Sequence, residues 1–500
     1  MAKQTRRSVH SFVRVCEIRH ARQAIAVSRN LPEVGHFNEI SLQYVGIFCY
    51  FCNKIGKMKK KKARRKYKAK SNRRLAILAL AVLAAGAIVF AVAHRGCCGG
   101  EAAKDGIEDE GPLWSDTLTN ASSAVPALRP MDCEIENFMA RNGIKGMQVA
   151  VMSHDSLLYA KGYGWADKER GEPMTPTSMM RIASASKLIT AVAIMRMVED
   201  GIIGLDSKVF GQQGILNDSI YTCSLADPRM ADITVDQLLM HAAGFGHGGG
   251  DPMFTMKDIV QRNKLKGAPD SEKLASLVLR RRLAYEPGKS RRYSNFGYLL
   301  LSLIIEKKSG RQYWEYVDSA VLQPAKAANF RSGTNYYADR HFGEVKYYGP
   351  DTTLVEEYNG SGKMVERVYG GNDIKGLKGA GGWVASAPDL LRVVACIDGY
   401  EGVPDLLSGK SISLMAEADN EDKHSMTRGW AEIEEDGSWV RTGTLSSSHA
   451  YIRLFPDGRC WAILTNSGNW RGARFARDMS RLVSNLNARY SGSMPKRNLW

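Results

Sequence analysis

Cysteine is scarce: nine in 500 residues, at positions 16, 49, 52, 97, 98, 133, 223, 396 and 460. Spacing this scattered excludes a disulfide scaffold. Cys49-Tyr50-Phe51-Cys52 stands alone, without the second pair that a zinc site needs. There is no phosphate loop, no dinucleotide fingerprint and no internal repeat, so no cofactor and no metal are expected. Beyond residue 74 the chain also lacks any excess of charge. The net +17 sits in residues 1–74, which hold 20 of the 69 Lys and Arg but only Glu17, Glu33 and Glu39 of the 52 acids; the remainder holds 49 of each. A nucleic-acid partner is therefore not expected of the body of the protein. With 44% hydrophobic and 24% charged residues it has the composition of an ordinary folded chain.

Residues 1–74 read as a basic cytoplasmic segment without a domain-like pattern, and Met58, which opens the run Lys59 to Arg74, reads as the biological start. Leu75 to Ala93 is 19 residues without a charge, roughly 28 Å as a helix, long enough to span a bilayer. The basic run before it and the lone Arg95 after it put the N-terminus in the cytoplasm. The expectation is a single-pass anchor in the cytoplasmic (inner) membrane with the rest of the chain exported. The alternative is secretion after cleavage near Ala93. Residues 94–130, rich in Gly, Ser, Thr, Pro and acids, read as a flexible linker, 131–487 as the folded domain and 488–500 as a tail.

Within the domain one stretch carries chemistry. Ser184 and Lys187 are three residues apart, so on a helix they share a face. A serine hydroxyl is a poor nucleophile until a base takes its proton, and a buried lysine, whose pKa falls, can be that base. Leu188, Ile189, Val192, Ile194, Met195, Met197 and Val198 cover nearly every face of the helix that follows, the pattern of an interior helix.

Around it, Met147 to Met152 and Leu157 to Gly164 read as strands joined by a polar turn at 153–156. Residues 233–241 read as a capped helix followed by a glycine-rich loop, Gly244 to Gly250, at the mouth of the site. Tyr285 to Gly288 is a turn, Arg292 to Asn295 a short extended piece and Gly297 to Gly310 an apolar helix. Residues 331–372 read as an insertion or lid, and 379–391 as a loop running into a helix. Gly437 to Thr442, Ala450 to Phe455 and Cys460 to Thr465 read as an antiparallel sheet with a hairpin at Pro456-Asp457-Gly458, and Ala473 to Leu486 as a closing helix.

In this order the pieces resemble the serine β-lactamase and penicillin-binding protein superfamily, in particular class C β-lactamase-like hydrolases, over residues 131 to 487. Ser184-Ala185-Ser186-Lys187 matches the family's Ser-x-x-Lys and Tyr293-Ser294-Asn295 its Tyr-x-Asn. Further echoes run over 233–244, 381–390 and 464–466. Where the family usually has Lys-Thr-Gly or His-x-Gly, this chain has Arg441-Thr442-Gly443-Thr444. Arginine keeps the positive charge but cannot exchange a proton near neutral pH.

The resemblance implies an α+β, β-lactamase-like fold: an antiparallel sheet from both ends of the domain, flanked by helices, plus an all-helical lobe. It implies that Ser184 is the acylated nucleophile, with Lys187 the base directly or through Tyr293. The backbone N–H groups of Ser184 and Thr444 would form the oxyanion hole, and Asn295, Arg441, Thr442 and Gly443 would bind substrate. No Gly-x-Ser-x-Gly elbow frames Ser184, so His241 reads as structural; His449, on the site side, could contact substrate. The expected activity is that of a membrane-anchored, exported serine hydrolase acting on a cell-wall D-amino-acid peptide, derived from peptidoglycan, or on a carboxylic ester. A β-lactamase is an alternative, and a non-catalytic wall- or partner-binding module on the same fold is the alternative of another class.

Overall fold

The computed structural model describes residues 118–246, 248–418 and 426–500. The basic segment, Met58, Cys49 and Cys52, and the expected span at 75–93 lie outside the described residues. Among those described, no helix is long and apolar enough to cross a membrane.

The first helix, α1 (Arg129–Asn142), ends on Gly143 in the left-handed region, φ 69°. The chain then enters β1 (Gly146–Ser153) and β2 (Ser156–Asp167), joined at His154 and Asp155, both at positive φ. A turn with two such residues matches the twist of the strands it joins. After the short β3 (Glu172–Pro173) and β4 (Met180–Arg181) comes the interior helix α2 (Ser186–Glu199). Residues 200–329 hold helices and turns without a strand among those described, including α3 (Val235–Leu239) and α4 (Asn295–Ser309). The chain continues through β5 (Phe330–Ser332), β6 (Leu354–Glu356), β7 (Met364–Glu366), β8 (Trp383–Ala385) and α5 (Ala387–Ala395). The last segment is β9 (Glu432–Ile433), β10 (Trp439–Leu445), β11 (Ser448–Leu454), β12 (Arg459–Thr465) and α6 (Ala476–Tyr490).

The main sheet has seven strands in the order β3-β2-β1-β12-β11-β10-β9. Its closing contact is antiparallel pairing of β1 with β12, Met147 opposite Thr465, so the two ends of the domain become neighbours at its centre. Strand alternation sorts the side chains onto two cores. Val149, Val151, Tyr159, Trp461 and Ile463 pack beneath α1 and α6. Ala150, Met152, Ala160, Ile452 and Leu464 face the core that contains α2. The expected α+β architecture is therefore present.

Four local expectations need correction. Residues 118–130 belong to the domain rather than to a linker: Ser123 Oγ and Asn120 Oδ1 accept from the backbone N–H groups of Ala160 and Gly162, each at 2.8 Å, satisfying the open edge of β2. The tail is a packed strap, in which Asn498 Oδ1 accepts from Leu157 N at 3.0 Å, Leu499 N donates to Leu157 O at 2.9 Å and the Trp500 indole to Asp155 O at 2.6 Å. Residues 331–372 are no detached lid, because Val345, Tyr347, Val368 and Tyr369 are buried in the core and Tyr348 N bonds Asn466 O at 2.9 Å. The second lobe is also not purely helical: β4-β8-β5 form a small sheet and β6-β7 a hairpin. The three-residue β8 lies inside the stretch read as a loop.

Leu486 is fully buried under the sheet from α6. Leu486→Ala should lower the unfolding free energy by about 2–5 kcal/mol, read as a lower denaturation midpoint with an unchanged slope in urea.

Candidate active site

The chain is bent sharply before Ser184. Met180 and Arg181 pair with Ala385 and Val384, and Ile182 N donates to Trp383 O at 3.1 Å. Ala183 then takes a left-handed conformation, φ 49°. A non-glycine residue there costs about 1–3 kcal/mol, and such strain collects at working sites. The bend leads into a 3₁₀ turn, Ala183–Ala185, and then α2. Ser184 thus sits on the turn ahead of the helix and Lys187 in its first turn. From 181 to 195 only Ser184 is not buried. Beneath it the Arg181 guanidinium, itself buried, donates to Val368 O and Thr334 O, each at 2.8 Å, and lies 4.1 Å from the Tyr347 ring, fixing the strand that carries the turn.

Lys187 Nζ lies 3.3 Å from Ser184 Oγ, 2.6 Å from Asn295 Oδ1 and 2.5 Å from Ala380 O. Burial holds its pKa well below the usual lysine value, and the nearby Arg441 charge pushes the same way, against the opposing pull of Asp251. The Tyr293 hydroxyl donates to Ser184 Oγ at 2.6 Å. Burial raises the tyrosine's pKa, outweighing Arg441, which lowers it. Ser184, Lys187, Tyr293 and Asn295 are therefore gathered at one place.

Tyr293 and Asn295 arrive there on the start of α4, capped by Ser294, whose Oγ accepts from Gly297 N at 3.1 Å. His241 secures this start: its Nδ1 accepts from Ser294 N at 3.1 Å and its ring lies 4.7 Å from that of Tyr293. An accepting Nδ1 means a neutral ring, consistent with a pKa that burial, above all, holds well below the ordinary value. His241 is a positioning residue, as expected.

On β10 the residues alternate. Arg441, Gly443 and Leu445 face Ser184, whereas Val440, Thr442 and Thr444 have the opposite parity. Gly443 packs directly against the turn that carries Ser184. A Cβ added there would overlap Ile182 O and lie 3.1 Å from Ser184 N. Arg441 is buried, and its fork is engaged by the protein itself: Nε and Nη2 donate to Ser184 O at 2.9 and 2.5 Å, and Nη1 to Gly429 O at 3.0 Å. The guanidinium expected to bind substrate thus braces the carbonyl of Ser184 instead. Thr442 shares its face with Val440, which packs under the terminal helices, so its side chain is turned from Ser184. Thr444 was expected to act through its backbone. Val440 O accepts from Ala431 N on the β9 side, so the N–H of Thr444, two steps of the same parity further on, projects from that edge beyond the end of β9.

His449 needs correction. It pairs opposite Thr444, with Nδ1 3.3 Å from Thr444 Oγ1 and its ring 4.8 Å from Phe475, on the face away from Ser184. Burial pushes its pKa down to about 4. It is a core histidine beneath the sheet.

One residue went unnoticed in the sequence. Asp251, just past the glycine-rich run, accepts from Asn295 Nδ2 at 2.8 Å through Oδ2. Its only signal was its place at the end of that run. Among the described residues no group of three His, Cys, Asp or Glu is placed to hold a metal ion.

A family model described as Beta-lactamase matches residues 131–485. The chain belongs to the beta-lactamase family. Among similar proteins, the probable fimbrial assembly protein FimD, serogroup H1, of Dichelobacter nodosus is 28% identical over 50% of this chain and 56% of its own length. Esterase EstB of Burkholderia gladioli is 28% identical over 39% of this chain and 48% of its own. The chain thus spans about half the length of such relatives. The penicillin-binding protein homologue of Pyrococcus abyssi superposes with a TM-score of 0.54 at 22% identity, covering 71% of this chain and 77% of that one. The D-amino acid amidase of Ochrobactrum anthropi SV3 superposes with a TM-score of 0.56 at 20% identity, covering 74% and 100%. These superpositions establish the shared fold.

Gly443→Ala tests the packing of β10 on the turn. A shift of Ser184 by about 1 Å is enough to cost roughly 10²-fold in rate. Such a loss of serine reactivity, with the circular dichroism spectrum unchanged, is the expected result.

Proposed function

We propose that this chain is a serine hydrolase that forms an acyl-enzyme on Ser184 and that its substrates are carboxylic esters. The observation that carries the reading is the set of groups around Lys187 Nζ. A neutral amine has two N–H groups and one lone pair. Asn295 Oδ1 and Ala380 O take the two hydrogens, and the third position faces Ser184 Oγ. Burial, which favours the uncharged amine, makes Lys187 rather than Tyr293 the base, because the same burial disfavours a phenolate.

In the acylation step Ser184 Oγ attacks the ester carbonyl carbon as its proton passes to Lys187 Nζ. The carbonyl oxygen becomes an oxyanion facing the N–H groups of Ser184 and Thr444, each such donor being worth about 3 kcal/mol. On collapse the alkoxide leaves, and the proton returns to it from Lys187, directly or by way of Tyr293, whose hydroxyl already contacts Ser184 Oγ. Water then repeats the sequence on the acyl-enzyme.

The engaged fork of Arg441 is the reason to prefer an ester over a carboxylate-bearing substrate or a β-lactam. A second reading, a cell-wall D-amino-acid peptide, draws on the edge of β10 beyond β9, unpaired among the described residues, where an extended peptide could pair as an added strand. We also propose that residues 75–93 anchor the domain to the cytoplasmic membrane with its catalytic part exported, on the strength of their uncharged length and the basic run before them. Alkaline carbonate extraction of cell membranes should leave the full chain in the pellet; release into the supernatant would contradict the anchor.

The full chain should hydrolyse p-nitrophenyl butyrate, and Ser184→Ala and Lys187→Ala should each lower kcat/KM by roughly 10³-fold or more. Faster turnover of a D-alanyl-D-alanine peptide than of the ester would favour the second reading. Lys187 works only when neutral, so activity should rise with pH through an acid limb. Because its pKa lies well below 10.5, that limb should fall well below 10.5 too. A limb near 10.5 would contradict a buried base.

A further inference from the structure

We infer that Asp251 is a positioning residue of this site, acting on Lys187 through the side-chain amide of Asn295. The inference rests on the acyl-enzyme reading above. The loop that delivers Asp251 is built around it: Gly249 and Gly250 have φ of 89° and 92°, and Asp251 Oδ1 then accepts from Met253 N at 2.9 Å. Its backbone carbonyl accepts from Phe254 N at 2.9 Å and from Thr255 Oγ1 at 3.0 Å. An asparagine could make all of those turn contacts. What needs a carboxylate is the remaining oxygen, Oδ2, 2.8 Å from Asn295 Nδ2.

Two consequences follow from that oxygen. A carboxylate only accepts, so Asn295 must turn its NH₂ toward Asp251 and its carbonyl toward Lys187, where Oδ1 stands 2.6 Å from Nζ. The amide is thereby fixed in the one orientation that can receive a lysine hydrogen. The second consequence concerns charge. When the proton of Ser184 reaches Lys187, an ammonium forms in a buried place already facing the guanidinium of Arg441, and both circumstances oppose it. Asp251, one amide away, is the anion that favours it. The acid therefore strengthens a base that burial alone would leave weak.

The signature is two opposite effects in one pH profile. The test is the rate at which a fluorophosphonate labels Ser184, measured from pH 5 to 10 on the full chain, for wild type, Asp251→Asn and Asp251→Glu. Removing the charge makes Lys187 lose its proton more readily, so the acid limb of Asp251→Asn should move to lower pH. The same variant has a weaker base, so its plateau should fall about tenfold, a fraction of the 10²–10⁴ that a general base typically contributes. Asp251→Glu, which keeps the charge, should hold the limb near its wild-type position. A merely structural role would lower the plateau and leave the limb where it was; that result, or an unchanged profile, would overturn the inference while leaving the acyl-enzyme intact. If Asp251→Asn does not fold, Asp251→Ser supplies the neutral variant: a limb displaced to lower pH upholds the inference, and one that stays in place overturns it. Wild type that is unlabelled at every pH would overturn the acyl-enzyme reading, and this inference with it.

Discussion

The site depends on a lysine amine taken out of water. Lys187 is fully buried, and among the described residues its nitrogen bonds the carbonyls of Asn295 and Ala380 and the hydroxyl of Ser184. A charged ammonium there is costly, and the proposed mechanism uses this: the uncharged amine is the base for Ser184. Three neighbouring elements build that arrangement. Helix α2 is buried on almost all sides, α4 brings Tyr293 and Asn295, and the strained loop at Lys378, φ 42°, presents the carbonyl of Ala380.

The sheet supplies the other half. Pairing of β1 with β12 joins residues more than 300 apart in sequence and fixes β11 and β10 in turn. Gly443 lets β10 touch the turn that carries Ser184, and Arg441 ties the carbonyl of Ser184 to the same strand. The guanidinium braces the backbone at Ser184 and Gly429, which lysine, with a single nitrogen, could not do in the same bidentate way. In the proposed mechanism proton exchange falls to Lys187 and Tyr293.

Much of this was legible from local patterns. The hairpins at 153–156 and 456–458 and the interior helix after Ser184 are written in turn chemistry and period, and the structure shows β1, β2, β10, β11, β12 and α2 within a few residues of their expected places. The grouping of Ser184, Lys187, Tyr293 and Asn295 was readable from spacing and family likeness. What was not legible depends on three-dimensional register. His449 looked close to the site because it is close in sequence, yet strand parity sends its ring to Phe475 on the far face. Asp251 follows a run of glycines whose path no pattern fixes. The strap at 498–500 and the edge cover by Asn120 and Ser123 are single side-chain contacts that no periodicity announces.

The most direct measurement is tandem mass spectrometry of the full chain, quenched in acid within milliseconds of mixing with an activated ester and then digested with protease. The account predicts one acyl group, located on Ser184, appearing in a burst before steady turnover. Acyl transfer to another residue, or turnover without any covalent adduct, would contradict it.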